Sequence, residues 1–478
     1  MPFRPWSRWK PERSQGGALA QEVARLSADP RVHRLFEWFS RHEREIADFQ
    51  LAITSVPAPS SDEQARASWL RERLDPLGLN TSIDAVGNLL AARPGLKADA
   101  SDVVNAPGAP FIAVSAHLDT VFPASVRLDI RRDQARLLGP GISDNGSGLA
   151  ALWALAAAFH AEGIVTAMPM LWIANVGEEG EGNLRGMRHI YREQLLREQP
   201  VGEQPDGGSA SGGGDSGDPN SGRDSGGPDG PAPALAALIA LDGAGTDSII
   251  SAALGSRRFE IVISGPGGHS WSDHGTPNPV VAAALVVNTL FRIALPVNPR
   301  TTLNIGRIEG GTSINSIPER AALKIDLRSA DSRRLDELEH QLRRAVADGC
   351  AEIQAQSAPG RARLSYTIAM VGERPAGELS AASPLLAAIR AVDSQLGIES
   401  QLLRASTDAN VPLSLGLEAV ALGAGGSGGR AHTIHEWYEP AGREQALKRL
   451  ALLLLLLAGL PSEGAPTHQP QANPEESA

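Results

Sequence analysis

Histidine and acidic side chains follow several of the short apolar runs in this sequence. FIAVSA is followed by His117 and Asp119, and LWIANVG is followed by the adjacent pair Glu178 and Glu179. The same residue types recur at three further places: Asp144 in the turn GPGISDNGSG, Asp242 after LAALIAL, and His432 after VALGAGGSGGRA.

These residue types predict metal-dependent hydrolysis. Imidazole nitrogens and carboxylate oxygens are the ligands of hydrolytic zinc sites, and two metals roughly 3.5 to 4 Å apart need a carboxylate that bridges them. A bound metal lowers the pKa of its water from about 15.7 to roughly 7, so that a neighbouring carboxylate can take the proton. One glutamate of the Glu178–Glu179 pair is a candidate for that base.

The apolar runs alternate with helical patterns such as LAALWALAAAFHAEG, which predicts an α/β sheet. In open α/β sheets, sites are built in the crevice at the carboxyl ends of the strands, so the scattered acids and histidines are expected to converge there. Ahead of the sheet, Ser60 and Glu63 have the spacing of a capping box and predict the start of a helix over QARASWLRERLDPLG.

Composition excludes several classes of function. The net charge is −11 and the lysines are scattered, so no basic stripe for nucleic acid is expected. Cys350 is the only cysteine, which excludes an internal disulfide framework and predicts a reducing, cytoplasmic setting. The longest apolar run, Leu450 to Leu460, is too short to cross a bilayer and predicts a buried helix, so no membrane contact is expected.

Each motif also has an ordinary structural interpretation. Asp144 beside Asn145 is typical of a turn and helix cap, and His435 competes with His432 for the role of ligand. The glycines in ALGAGGSGG satisfy the dinucleotide pattern G-x-G-x-x-G, but they run into the His432 segment instead of opening a helix. A non-catalytic metal-binding assembly module is a further alternative, although such a module has no need of Glu178.

Together, the motifs resemble a known family. SAHLDTVFP, GPGISDNGSG, NVGEEGEG, the aspartate of IALDGAG and GGRAHTIHEW stand in the order found in the zinc metallopeptidase and amidohydrolase family of glutamate carboxypeptidase, acetylornithine deacetylase, succinyl-diaminopimelate desuccinylase and peptidase T. The resemblance covers roughly residues 49–459, and NVGEEGEGNLRG and AHTIHEW are most similar to the peptidase T branch. It implies a metal-dependent hydrolase that cleaves an amide bond of a small peptide or, alternatively, of an N-acyl amino acid.

The resemblance also implies roles for individual residues. Glu178 matches the general base, and Asp119 matches the carboxylate that orients the imidazole of His117. Two divalent cations are expected, with Zn²⁺ as the default and Mn²⁺ or Co²⁺ as alternatives. The metal ligands implied are His117, Asp144, Glu179, Asp242 and His432, with Asp144 as the bridge.

A smaller α+β lid domain, which also forms a homodimer in the family, is expected between Asp242 and His432. The resemblance implies that His269, Asn315 and Arg328 of this lid bind substrate, although Arg328 could instead pair with Asp326 or Asp331. The predicted boundaries are 18–255 plus 370–460 for the catalytic domain, with a Gly/Ser/Asp-rich disordered insertion at 202–233, then 256–369 for the lid and 461–478 for a disordered tail.

Overall fold

The computed structural model describes residues 15–96, 110–191 and 235–462. The strands, in chain order, are β1 (Asn80–Ile83), β2 (Leu89–Arg93), β3 (Phe111–His117), β4 (Arg131–Asp133), β5 (Arg136–Leu138), β6 (Met170–Asn175), β7 (Leu235–Leu241), β8 (Ser248–Ala253), β9 (Gly255–Ser264), β10 (Gly268–His269), β11 (Thr301–Gly310), β12 (Ser316–Ile317), β13 (Arg320–Ser329), β14 (Ser365–Arg374), β15 (Gly377–Glu378), β16 (Gln401–Ala405), β17 (Ala419–Leu422), β18 (Ser427–Gly429) and β19 (Trp437–Glu439). The α-helices are α1 (Gln15–Ser27), α2 (Pro30–Arg41), α3 (Glu43–Thr54), α4 (Gln64–Leu74), α5 (Gly146–Ala161), α6 (Arg185–His189), α7 (Pro279–Phe291), α8 (Ser332–Ala355), α9 (Pro384–Leu396), α10 (Asn410–Ser414) and α11 (Arg443–Ala458). The insertion predicted at 202–233 lies outside the described residues, and so does the predicted tail beyond residue 462.

A large mixed sheet forms the centre of the catalytic domain. Within the described residues its strand order is β1-β2-β6-β3-β7-β17-β8-β15, with β16 paired to β8. The adjacent strands β6, β3, β7 and β17 run parallel to one another, and every residue of β3 and β6 is buried. Continuous apolar runs such as FIAVSA therefore belong to strands that are covered on both faces, as predicted for an α/β fold.

Helices cover both faces of the sheet. Leucines and alanines of α5, α9 and α11 share one hydrophobic core with α1 to α4, whereas α6 and α10 pack on the opposite face. Trp153 of α5 stacks on Phe49 of α3 with ring centroids 4.4 Å apart. Helix α3 also carries Gln50, whose Nε2 donates to the carbonyl of Ile142 at 2.6 Å. This hydrogen bond joins the helix to the turn that contains Asp144, two residues further along the chain.

The capping box predicted for α4 is wrong. The helix begins at Gln64 with Glu63 as its N-cap residue, and no side chain caps it. Ser60 instead donates its hydroxyl to Asp119 Oδ2 at 2.6 Å, and Glu63 Oε1 accepts from the backbone nitrogen of Gly177 at 3.0 Å. Tertiary partners near the predicted site therefore replace the local hydrogen bonds that the sequence pattern suggested.

The lid is a second layer of sheet and helix. Its four-stranded antiparallel sheet has the order β11-β13-β9-β14, and apolar residues of β9 and β13 pack against α7 and α8. Strand β14 pairs with β9 as far as Arg374, so the boundary predicted after residue 369 falls inside this strand.

Helix α11 contains most of the leucine-rich run near the end of the chain. Its leucines are buried in the core shared with α5 and α9, which is the buried helix that the sequence predicted. None of the helices in the described ranges is long and apolar enough to cross a membrane.

Candidate metal centre

Asp144 lies between two histidines at the carboxyl edge of the central sheet. Its Oδ1 is 3.1 Å from Nε2 of His117, the last residue of β3, and its Oδ2 is 3.1 Å from Nε2 of His432. One carboxylate therefore uses its two oxygens to meet two imidazoles that are far apart in sequence. That arrangement is the one expected of a bridging ligand between two metal ions.

A further carboxylate stands beside each imidazole. Glu179 Oε1 is 3.0 Å from His432 Nε2, and Asp242 Oδ1, directly after β7, is 3.9 Å from His117 Nε2. Metal–ligand bonds of about 2.0 to 2.1 Å in a tetrahedral site place neighbouring donor atoms about 3.3 Å apart. The spacing of these donors is therefore close to that of two metal sites that share Asp144.

The turn that carries Asp144 is held by a residue that the sequence analysis missed. Buried Glu436 accepts from the backbone nitrogens of Ser143 and Asp144 through Oε1, both at 2.8 Å, and from Gly141 through Oε2 at 2.9 Å. Burial raises the pKa of Glu436 to about 7, against the effect of these backbone hydrogen bonds. The segment AHTIHEW thus contributes His432 to the donor set and Glu436 to the support of the turn. The acidic residue of this motif was the sequence signal from which Glu436 could have been identified.

Asp119 has more partners than the orienting role predicted for it. Its carboxylate accepts from the backbone nitrogens of Glu178 and Glu179, both at 2.9 Å, and from the hydroxyl of Ser60. His117 Nδ1 lies 3.1 Å from the carbonyl oxygen of Asp119 and 3.6 Å from Oδ1, so the closer acceptor is the backbone. Asp119 therefore fixes the two glutamates in addition to facing His117.

Glu178 contacts a buried arginine that comes from the lid. Arg374, the last residue of β14, donates from Nη1 to Glu178 Oε1 at 2.8 Å and from Nη2 to the Glu178 carbonyl. Burial raises the pKa of Glu178 well above its ordinary value, and the charge of Arg374 opposes that effect. No motif marks Arg374 in the sequence, because its role depends on where β14 re-enters the catalytic domain.

Two other lid contacts hold the loop that follows the glutamates. Arg258 of β9 donates from Nη1 to the carbonyl of Gly180 at 2.7 Å, and the backbone nitrogen of Glu373 donates to Asn183 Oδ1 at 2.8 Å. Asn183 has a φ of 56°, in the left-handed region that asparagine tolerates better than most residues. The lid thus touches both Glu178 and the loop beyond Glu179.

The electrostatics of the site favour bound cations. Burial alone would raise the pKa of Asp144, but the hydrogen bonds and charges of His117 and His432 lower it below its usual range. The carboxylates of Asp144 and Glu179 raise the pKa of His432 to about 10, and neighbouring carboxylates raise that of His117 well above 6.5 against the opposing effect of burial. A donor set this rich in carboxylates, with nitrogen and oxygen atoms only, suits divalent metal ions.

The three lid residues expected to bind substrate make local contacts. His269 is exposed and its Nδ1 accepts from the backbone nitrogen of Trp271, while exposed Asn315 pairs with Ser313. Arg328 Nε donates to Asp326 Oδ2 at 2.7 Å, which is the alternative left open by the sequence. Within the described residues, none of the three forms a hydrogen bond or ion pair with the residues around Asp144.

The two remaining alternatives from the sequence concern His435 and the glycine pattern that precedes His432. His432 meets Asp144, whereas His435 is exposed and forms no ion pair within the described part of the chain. The glycines that satisfy G-x-G-x-x-G follow β17 and enter β18, so no helix opens there as a dinucleotide site requires.

Metal binding should release protons from this site. Because its pKa is raised to about 10, the His432 imidazole carries a proton at pH 7.5 in the metal-free protein, and the pKa of His117 is also raised. A metal binds the neutral imidazole, so zinc uptake at pH 7.5 should release protons and tighten as pH rises towards these pKa values. Calorimetry in buffers of different ionisation enthalpy measures the release, and His432→Asn should release about one proton fewer per chain. Heats that do not depend on the buffer would contradict this prediction.

Comparison with known proteins shows the family to which the chain belongs. The sequence profile of "Peptidase family M20/M25/M40" matches residues 113–458. A probable carboxypeptidase of Aspergillus terreus is 36% identical over 112 residues, which are 21% of this chain and 26% of the relative. The N-acetylcysteine deacetylase of Bacillus subtilis is 31% identical over 97 residues, 20% of this chain and 25% of the relative. The matched segment thus spans about a quarter of the length of these curated relatives.

A solved structure shows the same fold over nearly the whole described chain. The aminopeptidase PepT of Bacillus cereus is 17% identical, with a TM-score of 0.63 over 87% of this chain and 99% of that one. The family resemblance and the α/β fold inferred from the sequence are both confirmed. Because the matched region 113–458 is more than half of the 478 residues, the chain belongs to peptidase family M20/M25/M40.

Proposed function

We propose that this protein is a two-metal hydrolase that cleaves an amide bond in a small peptide or an N-acyl amino acid. The observation that carries the proposal is the position of Asp144, whose two oxygens each lie 3.1 Å from a different imidazole. Family membership supports a hydrolase, and the donor set supports a metal-dependent one.

Two groups of ligands follow from the distances. His117 and Asp242 would hold one cation with Asp144, and His432 and Glu179 would hold the other. Zn²⁺ is the expected metal, and Mn²⁺ or Co²⁺ would also accept these nitrogen and oxygen donors. When bound, such ions acidify a water molecule and polarise a substrate carbonyl.

Glu178 is proposed as the general base. Its carboxylate would accept the proton of the attacking water and then return it to the leaving nitrogen, as a positioned carboxylate can. Arg374 holds Glu178 Oε1, and Asp119 holds the backbone nitrogen of Glu178. The lid thus holds the side chain of Glu178, while the segment that follows β3 holds its backbone.

The lid residues His269, Asn315 and Arg328 remain proposed substrate contacts. For Arg328 to clamp a carboxylate, its present hydrogen bond with Asp326 would have to be exchanged for one with substrate. A planar guanidinium suits that role because it donates two parallel hydrogen bonds to a carboxylate.

An N-acyl amino acid deacylase is the alternative within the same chemistry. It is supported by the likeness to the deacetylase of B. subtilis, just as the likeness to the A. terreus carboxypeptidase supports peptide substrates. A non-catalytic metal-binding assembly module is less well supported, because Glu178 is buried beside the donor set and held by two partners.

Hydrolysis of a pooled substrate set tests the proposal. The zinc-loaded protein is mixed with dipeptides, tripeptides and N-acyl amino acids, and products are read by mass spectrometry with and without a chelator. Chelation should abolish product formation, and Glu178→Ala should lower turnover by roughly 10² to 10⁴ while bound metal is retained. Glu181→Ala is the matched control, since Glu181 is exposed and lies outside the donor set.

Variants of the proposed base and ligands show which part of the proposal is wrong if the expected results are not obtained. Unchanged turnover in Glu178→Ala would remove Glu178 from the mechanism, and full metal occupancy in both Asp144→Ala and Glu179→Ala would refute the ligand assignment. No cleavage anywhere in the pool by metal-loaded protein would favour the non-catalytic alternative.

We further propose a homodimer formed through the lid. Strand β11 is an edge of the lid sheet and most of its residues are exposed. Apolar side chains lie exposed in the same domain, among them Phe291 at the end of α7, which is 85% exposed. An open edge strand and exposed apolar groups are features that association between two copies would cover.

Sedimentation tests this proposal at micromolar concentration. The protein should sediment as a dimer, and Phe291→Glu should shift it towards the monomer because a charge replaces an apolar contact. Leu415→Glu changes an exposed leucine of the catalytic domain and should leave the dimer intact. A monomeric unmodified protein would contradict the proposal.

A further inference from the structure

A cavity of about 640 Å³ opens beside Asp144. Three loops of the catalytic domain form its walls: the turn at 143–144, the segment 243–247 that follows β7, and the segment 426–431 that precedes His432. Its volume is within the range of roughly 300 to 1,000 Å³ that is usual for small-molecule pockets. The cavity therefore offers room for part of a substrate whose reacting bond lies at the metal centre.

Glycines bring these loops close together. A side chain at position 428 would meet Ser143 Oγ at 2.4 Å and the side chain of Ala244 at 3.0 Å. The part of the cavity wall next to Asp144 is therefore formed largely by backbone atoms. Only a few of the lining residues carry charged side chains. Among the lining residues, Arg430 carries the positive charge.

Arg430 makes no ion pair or side-chain hydrogen bond within the part of the chain that the structure describes. Only its backbone carbonyl is engaged, by Thr433. By contrast, Arg374 beside the candidate base is paired with Glu178, and Arg328 in the lid is paired with Asp326. A guanidinium without a protein partner that lines a cavity beside a candidate metal site is available to a ligand anion.

The backbone places this arginine in an unusual conformation. Arg430 has a φ of 59°, in the left-handed region that side chains other than glycine and asparagine rarely occupy. Such conformations cost free energy and often occur at functional sites. The chain therefore keeps a long cationic side chain at a position where glycine would be less strained.

With Glu178 as the general base, the cavity would lie on the acyl side of the reacting bond. Glu178 is not among its lining residues and instead faces Arg374 of the lid. Because Glu178 would return its proton to the leaving nitrogen, the amine part of the substrate belongs on the Glu178 side of the centre. The opposite part, which carries the carbonyl, then extends past Asp144 into the cavity.

We propose that Arg430 binds a second carboxylate on the acyl part of the substrate, so that the preferred substrates are amides of dicarboxylic acids, with either a dicarboxylic acyl group or an acidic amino-acid residue. This inference rests on the hydrolase function proposed above. Arg430 supplies two parallel hydrogen bonds to the distal carboxylate, whose charge an acetyl or alkyl acyl group lacks.

Binding of two matched probes tests Arg430 without turnover. Succinate has two carboxylates, and succinamate replaces one of them by a neutral amide of nearly the same shape. Calorimetry on the zinc-loaded full chain should give about tenfold tighter binding of succinate, as expected for a charge-assisted hydrogen bond. Arg430→Asn should abolish the preference, since asparagine tolerates a positive φ while removing the charge, and Arg430→Lys should keep part of it.

Asp247 provides the control, because its carboxylate lines the same cavity. Asp247→Asn removes a charge of opposite sign and should preserve or increase the preference for succinate. Equal affinities for the two probes in the unmodified protein, or a preference that survives Arg430→Asn, would overturn the proposal.

A kinetic arm separates this inference from the proposed function. The ratio of kcat/KM for N-succinyl-leucine over N-succinamoyl-leucine should be about ten in the unmodified protein and about one in Arg430→Asn, as the loss of one charge-assisted contact implies. Cleavage of both substrates at equal rates would overturn the role of Arg430 and leave the hydrolase intact. Cleavage of neither, with a succinate preference that depends on Arg430, would support the cavity assignment and count against the hydrolase.

Discussion

Asp144 presents both of its carboxylate oxygens to imidazoles, each at 3.1 Å, in a site where other carboxylates are also buried. Gathering so many acidic groups away from water is costly unless positive charge compensates them. In the metal-free chain a protonated His432 supplies part of that charge, and two divalent cations would supply it more fully. The surrounding catalytic domain must therefore hold these closely spaced carboxylates in fixed positions.

Hydrogen bonds to buried carboxylates hold the backbone around three of these acidic residues, Asp144, Glu178 and Glu179. Glu436 holds the turn that carries Asp144 through three backbone hydrogen bonds, and Asp119 holds the backbone of Glu178 and Glu179. Arg374 extends this support to the lid, so that the candidate base is fixed by both domains. A shift of the lid relative to the sheet would therefore displace Glu178 and the loop beyond Glu179.

The places of the candidate ligands in the fold could be predicted because they follow from local rules. A buried parallel strand is a continuous apolar run, and its carboxyl end is where a site is built, so His117 and Asp242 could be placed from β3 and β7 alone. The supporting residues were missed because they act over long separations, 292 residues for Glu436 with Asp144 and 196 for Arg374 with Glu178. The role of Ser60 was wrongly predicted for the same reason. Its local sequence pattern indicated a helix cap, whereas its hydroxyl donates a hydrogen bond to Asp119, 59 residues away.

In the proposed metal centre, Asp144 is shared by two metal ions. Anomalous diffraction from crystals of the zinc-loaded protein tests it most directly, because it locates each ion independently of activity. Two peaks are expected roughly 3.5 to 4 Å apart, one beside His117 and Asp242 and the other beside His432 and Glu179, with Asp144 between them. A single peak, or two peaks that Asp144 does not bridge, would contradict it.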